Sequence, residues 1–251
     1  MAARATRSAS RAASSRDDVS RCLLLALSHD ELGVIFDGLA DPLQPTVAVA
    51  LSSTCLGLRT PLRAALEVLK VRHERTAALC RKLDKSCAQV RGAAWLYWSG
   101  HLVAADMATL GMILRTNGLP CLKDLNLDGS GFGDAAMRAL CEGLGHGAAP
   151  SLRILGLNHN NFGPAGAEAL AAALGRGAMP KLEWFGINGN PIGDQGVAVL
   201  AAPLRKMPAL TELFLGRCEI GDDGVASLVA NLDKDDFKAL EVLRLHHNKI
   251  T

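Results

Sequence analysis

Over the second half of the chain the apolar positions recur as a block. Leu122-x-x-Leu125-x-Leu127 returns as Leu152-x-x-Leu155-x-Leu157, Leu182-x-x-Phe185-x-Ile187, Leu210-x-x-Leu213-x-Leu215 and Leu240-x-x-Leu243-x-Leu245, at intervals of 28 to 30 residues. Three residues beyond each block stand Ser130, Asn160, Asn190, Cys218 and Asn248, and two further on Phe132, Phe162, Ile192, Ile220 and Ile250. Alternation over Leu-x-Leu predicts a short strand with its leucines turned inward. The Asn or Cys then turns in to satisfy backbone groups left unpaired where the chain leaves the strand. A glycine turn and a stripe at helical spacing follow each strand. The stripes are Met137, Leu140, Leu144; Ala167, Leu170, Leu174; Val197, Leu200, Leu204; and Val225, Leu228, Leu232. Pro203 lies within the third stripe and predicts a kink or an early stop there.

The L-x-x-L-x-L-x-x-N/C-x-L pattern in five in-phase copies resembles a leucine-rich repeat, and the 28-to-30-residue length with a true helix resembles its ribonuclease-inhibitor-like class. That resemblance implies an α/β solenoid, a horseshoe with a parallel β-sheet on its concave face and helices on its convex face, in a binding role. Residues 92–251 form the expected repeat domain. Within it, 92–121 reads as a degenerate capping repeat, with Trp95 and Trp98 near its strand and Asp106, Leu110 and Leu114 on its helix. The fifth copy stops one strand and one turn in, at Thr251, so either further sequence or a covering partner is expected at that end.

Residues 22–91 read as a small all-helical unit. Ser28 and Glu31 have capping-box spacing, flanked by Leu27 and Leu32 as a hydrophobic staple, and the helix they open runs through Ile35, Phe36 and Leu39 to Asp41-Pro42. A second apolar stretch runs from Val47 through Leu51 to Cys55 and Leu58. With Leu27, Glu31, Leu32, Ile35, Phe36, Leu39, Leu51 and Cys55 in place, this resembles an F-box, departing from it in Ser28, which replaces a proline, and in the lack of a tryptophan after Cys55. The resemblance implies docking of a ubiquitin-ligase adaptor through Leu27, Leu32, Ile35, Phe36 and Leu39. The competing expectation is a helical hairpin that shields the first repeat. Thr60-Pro61 then reads as the N-cap and first residue of a long basic amphipathic helix. Residues 1–21, almost all Ala, Ser and Arg, read as an unstructured tail or as an organellar transit segment.

Charge narrows the functional classes. Residues 1–92 carry 14 Lys/Arg against 9 Asp/Glu and residues 93–251 carry 13 against 16, so neither half presents the basic face that a nucleic acid needs. The most apolar window, Gly92 to Leu114, contains His101 and Asp106, and no membrane span is expected. Seven widely spaced cysteines without a C-x-x-C pair, and no Asn-x-Ser/Thr sequon, fit a reducing compartment, cytoplasmic or nuclear, with an organelle as the alternative. No Walker-type loop, H-E-x-x-H, G-x-S-x-G or dinucleotide fingerprint is present, so no enzyme and no cofactor is expected. His246 and His247 are neighbours at a strand end and point to opposite faces, a poor metal pair.

What remains is the concave face. Strand alternation turns outward a first row of Asp124, Ile154, Trp184, Glu212 and Val242, a second of Asn126, Gly156, Gly186, Phe214 and Arg244, and a third of Asp128, Asn158, Asn188, Gly216 and His246. At about 4.8 Å between strands, Ile154, Trp184 and Phe214 should cluster, with Trp184 as the anchor for a protein partner and Asp124, Asp128, Glu212 and Arg244 as a polar rim. Three roles compete: a non-catalytic protein-binding scaffold, a substrate receptor of a ubiquitin ligase, and a GTPase-activating protein of the Ran type, whose members share this repeat class.

Overall fold

The computed structural model describes residues 27–54, 56–98 and 100–251. The expectations placed on residues 1–21, on Cys22 and on Cys55 lie outside the described residues. The chain divides into two compact units between Glu74 and Arg75, earlier than the boundary at residue 91 expected from the sequence.

In the first unit, α1 (His29–Leu39) starts where a capping box forces it to. The Ser28 hydroxyl accepts the Glu31 N–H at 3.2 Å, while the Glu31 carboxylate accepts the Ser28 N–H at 2.8 Å. Two N–H groups that lack helical partners are thereby satisfied. The helix ends at Leu39, and the Asp41 carboxylate then accepts the Leu43 N–H at 2.8 Å, shaping the turn into α2 (Thr46–Thr54). Helix α3 (Leu56–Lys82) begins earlier than the sequence implied, with Pro61 inside it. Proline there forfeits one bond, to the Gly57 carbonyl, close enough to the helix start for the rest of the ladder to form. Leu32, Phe36, Ala40, Ala48, Leu58, Leu62 and Leu69 make the core of this unit, with Leu27, Leu39 and Leu51 packed against it.

The second unit takes in the end of α3, a short α4 (Cys87–Arg91) and then an alternation of strand and helix. In order these are β1 (Trp95–Tyr97), α5 (Ala104–Arg115), β2 (Asp124–Asn126), α6 (Asp134–Gly143), β3 (Ile154–Gly156), α7 (Pro164–Gly175), β4 (Trp184–Gly186), α8 (Gly193–Arg205), β5 (Glu212–Phe214), α9 (Asp222–Val229) and β6 (Val242–Arg244). All six strands are parallel and lie in chain order, β1 to β6. The expected capping unit is thus a complete strand and helix, and its buried Trp98 takes the inward place that Leu127 fills in the next copy.

Leu96, Leu125, Leu155, Phe185 and Leu213, the central residue of each strand, are buried, and behind them Phe132 and Phe162 stack with ring centroids 6.1 Å apart. Leu243 is the exception: at the last strand it is 40% exposed, because no further coil stacks on it. The inward Asn positions behave as the pattern required. Asn160 donates to the carbonyls of Leu127 and Leu157, both at 3.0 Å; Asn190 donates to Leu157 and Ile187, and Asn248 to Leu215 and Leu245. Cys218 Sγ lies 3.3 Å from the Ile187 carbonyl, and Ser130 Oγ donates to the Trp98 carbonyl at 2.8 Å.

A second link joins successive helices. The Asp134 carboxylate accepts the N–H groups of Gly163 (2.7 Å) and Gly166 (2.8 Å), at the start of the next helix. Asp194 does the same for Gly221 and Gly224, and Asp222 accepts the Thr251 N–H. Pro164 stands where α6, α8 and α9 have Asp, so this link is missing between α7 and α8. There the Gly193 N–H donates instead to the Cys218 carbonyl, with Gly193 at φ +59°.

One sequence expectation needs correction, and one contact lay outside the sequence reading. Helix α8 passes through Pro203 and ends only at Arg205, so the predicted early stop is not taken. The bond that proline forfeits belongs to the carbonyl of Val199, a residue on the exposed side, where its loss disturbs no packing. The contact is at Gly111, where a Cβ would lie 2.5 Å from the Leu140 carbonyl oxygen, and Gly143 meets the Gly111 backbone as closely from the other side.

Helix propensity alone would make Gly111→Ala stabilising by about 1 kcal/mol. Backbone cannot yield as a flexible side chain does, so we expect a net loss of about 1–3 kcal/mol in chemical denaturation. Gly145→Ala, where an added Cβ meets nothing within 4 Å, is the control and should change little. Equal stability of the two variants would disprove the contact.

Candidate partner-binding face of the sheet

Each strand is three residues long and, except at Leu243 of β6, buries its middle side chain, which leaves two outward positions per strand. The register lines these up as Trp95, Asp124, Ile154, Trp184, Glu212, Val242 in one row and Tyr97, Asn126, Gly156, Gly186, Phe214, Arg244 in the next. Both rows read from strand alternation are present as expected.

Trp184 and Phe214 touch, with ring centroids 4.9 Å apart and planes inclined at 35°. The glycine at 186 makes this contact possible, since a Cβ there would sit 2.5 Å from Cη2 of the indole. The ring therefore lies across Gly186 toward its cross-strand neighbour Phe214. The Arg244 guanidinium sits 5.4 Å from the centre of the Phe214 ring, a cation–π distance, and extends the stack to β6. Ile154, 38% exposed, is the register neighbour of Trp184, and Glu212 is its half-buried neighbour on the other side.

The two aspartates differ. Asp128 was expected on the open rim, but its carboxylate is engaged, accepting the Asn158 N–H at 2.7 Å and the Asn158 side-chain amide at 3.0 Å. Asn158 Oδ1 accepts the Asn188 N–H at 2.8 Å, and Asn188 Oδ1 accepts the Gly216 N–H. The third row is therefore a ladder tying each strand exit to the next, because the N–H groups there have left the sheet and need acceptors. Asp124 takes no hydrogen bond from any described residue, and its Oδ1 is enclosed without a partner. Partial burial, and then the nearby Asp128 charge, hold its carboxyl above the usual range.

Reading the sequence missed Trp95 and Tyr97 as face residues. They are the most exposed aromatic groups of the sheet, at 65% and 59%. The signal was the alternation Trp95-Leu96-Tyr97 itself, in a copy without the Leu-x-x-Leu lead-in. In the first unit, Leu32 and Phe36 are buried in that unit's own core, while Leu27, Ile35 and Leu39 are half-buried.

Three of the described thiols are buried. Burial pushes Cys80 and Cys141 up to about 12 and Cys218 to about 11. Among the described residues no group of three His, Cys, Asp or Glu could hold a metal ion, and no helix is long and apolar enough to cross a membrane.

Parts of the repeat region match a known family. Residues 118–141, 148–171 and 206–229 match the family model described as Leucine Rich repeat. The copy from Leu182 to Leu204 lies outside the matched segments yet pairs in the same register. No curated protein matches the chain in sequence. Among solved structures, a chain in "Crystal structure of TLR13-ssRNA13 complex" is similar over 68% of this chain and 28% of that one, at 18% identity and a TM-score of 0.29. This chain thus spans less than a third of that neighbour's length. The fold is an α/β solenoid of leucine-rich repeats, with a six-stranded parallel sheet.

Two outcomes test this description. Gly186→Ala should lift the indole off the sheet, seen as greater acrylamide quenching of tryptophan emission with far-UV dichroism unchanged; unaltered quenching would contradict the packing. At pH 8 the raised thiols stay protonated and the thiolate is the reactive form, so iodoacetamide should modify exposed Cys121 well before Cys80, Cys141 or Cys218. Peptide mapping reads the order, and equal rates at all four would refute it.

Proposed function

We propose that the chain is a non-catalytic module that holds a protein partner on the exposed face of its sheet. One observation carries this reading: the half-buried Trp184 and Phe214 rings, with Arg244 over one of them and exposed Ile154 alongside, stand on a sheet face where polar side chains would cost nothing. Trp and Arg are the residue types that dominate binding energies at protein interfaces. Glu212 and Arg244 edge the cluster as its polar rim. Asp128 contributes to it through the ladder rather than through a free carboxylate. The 28-to-30-residue repeat with a full helix supports the ribonuclease-inhibitor-like class, in which binding through this face is the expected use. The free thiols of the five described cysteines support a reducing compartment, cytoplasmic or nuclear.

The reading of the first unit as an adaptor-docking F-box has less behind it. Its capping box and helical turns are in place, but Leu32 and Phe36 are committed to the core, leaving Leu27, Ile35 and Leu39 as the side chains with surface to offer.

Proteins recovered by the immobilised chain should be lost with Trp184→Ala, by tenfold or more in apparent affinity, corresponding to about 1.4 kcal/mol or above. They should be retained with Val199→Ala on α8, an exposed apolar residue away from the sheet. Recovery indifferent to Trp184 but sensitive to Val199 would move the binding surface to the helical side.

A further inference from the structure

At the β1 end of the same face stands a second aromatic pair. Trp95 and Tyr97 flank the buried Leu96 and turn outward, and the register sets Trp95 beside Asp124 and Tyr97 beside Asn126, about 4.8 Å away. Asp124 is one of five described residues with an enclosed side-chain oxygen that has no hydrogen-bond partner, and the one of them in the outward rows. It is half-buried, it takes no hydrogen bond and forms no ion pair with any described residue, and its Oδ1 is closed off. Buried polar atoms without a partner are rare in folded proteins and call for an explanation. The neighbouring charges do not supply one. Asp128 repels it, and Arg153, at the entry of β3, pairs with Glu183 at 3.5 Å.

A planar cation suits the exposed rings and the unpaired charge together, meeting Asp124 through Oδ2 rather than through the enclosed Oδ1. A guanidinium stacks on an indole or phenol face and donates N–H groups to a carboxylate in the same approach. The other end of this sheet already shows the first half of that arrangement, with Arg244 over Phe214 next to Trp184. The two outward rows also carry two carboxylates, Asp124 and Glu212, against the one guanidinium of Arg244. We propose that Trp95, Tyr97 and Asp124 form a docking site for an arginine side chain in a basic segment of the protein partner.

This rests on the partner-binding reading of the face and names the chemistry of one contact within it. A single-stranded nucleic acid fits less well, since a base could stack on Trp95 but its phosphates would meet the same carboxylates.

The test uses the full chain and three fluorescent probes: an arginine-rich decapeptide, the same peptide with citrulline in place of arginine, and a single-stranded RNA decamer. Anisotropy titrations should show the arginine peptide binding at least tenfold more tightly than either alternative. Asp124→Asn, which keeps the shape of the side chain, and Trp95→Ala should each weaken it fivefold or more with melting temperature unchanged. If Trp95→Ala fails to fold, Asp124→Asn alone decides. Equal binding of the arginine and citrulline peptides, indifference to Asp124→Asn, or preference for the RNA would overturn the proposal. If Asp124→Asn leaves peptide binding intact while Trp184→Ala still abolishes partner recovery, the arginine site falls and the binding face stands. Loss of the arginine site together with insensitivity to Trp184→Ala would remove both.

Discussion

The fold depends on an amide turned into its own interior. At the point where each strand ends, two carbonyls, one from its own copy and one from the copy before, lose their sheet partners. The Nδ2 of Asn160, Asn190 or Asn248 reaches both. A buried carbonyl left bare costs about 1–3 kcal/mol, so a side chain that satisfies two at once fixes where the strand must stop and how the next coil must seat. Cys218 and Ser130 fill the same place with weaker or shorter reach. Because every strand exits under the same constraint, the outward residues of all six fall into straight rows, and a binding surface emerges from what is first a device for satisfying backbone.

Two further ladders run parallel to it. On one side the Asp128, Asn158 and Asn188 side chains hand an acceptor to the next strand exit, and on the other Asp134, Asp194 and Asp222 hand one to the next helix start. Each link acts only between neighbours, as stacked repeats require. Where Pro164 stands in place of the aspartate, the following helix begins at Gly193, in a left-handed conformation and with its N–H on the Cys218 carbonyl. The neighbouring strands keep their register regardless.

Much of this was legible in the chain itself, for a physical reason. A period of 28 to 30 residues, with inward leucines and an inward Asn, admits few arrangements other than a stack of strand and helix, and the outward rows follow from alternation alone. The parts that escaped depend on contacts that no local rule reports. Asp128 looked like a free surface charge until the Asn158 backbone was seen to claim it. Trp95 and Tyr97 sat in a copy whose leucines are partly replaced, so their alternation had no repeat to be aligned with. Gly111 and Gly143 gave no signal, because close approach of two helices is a property of the pair. Leu32 and Phe36 carried an apolar pattern that suits a docking surface and a core equally well, and packing put them in the core.

The glycine beneath Trp184 has a consequence of its own. With no side chain at Gly186 to prop it up, the indole reclines against Phe214 in the unliganded chain. Immobilising a free side chain on association costs about 0.5–1.5 kcal/mol, and a ring already packed on its neighbour has part of that loss behind it. An incoming molecule therefore meets two rings joined into one surface rather than two separate side chains.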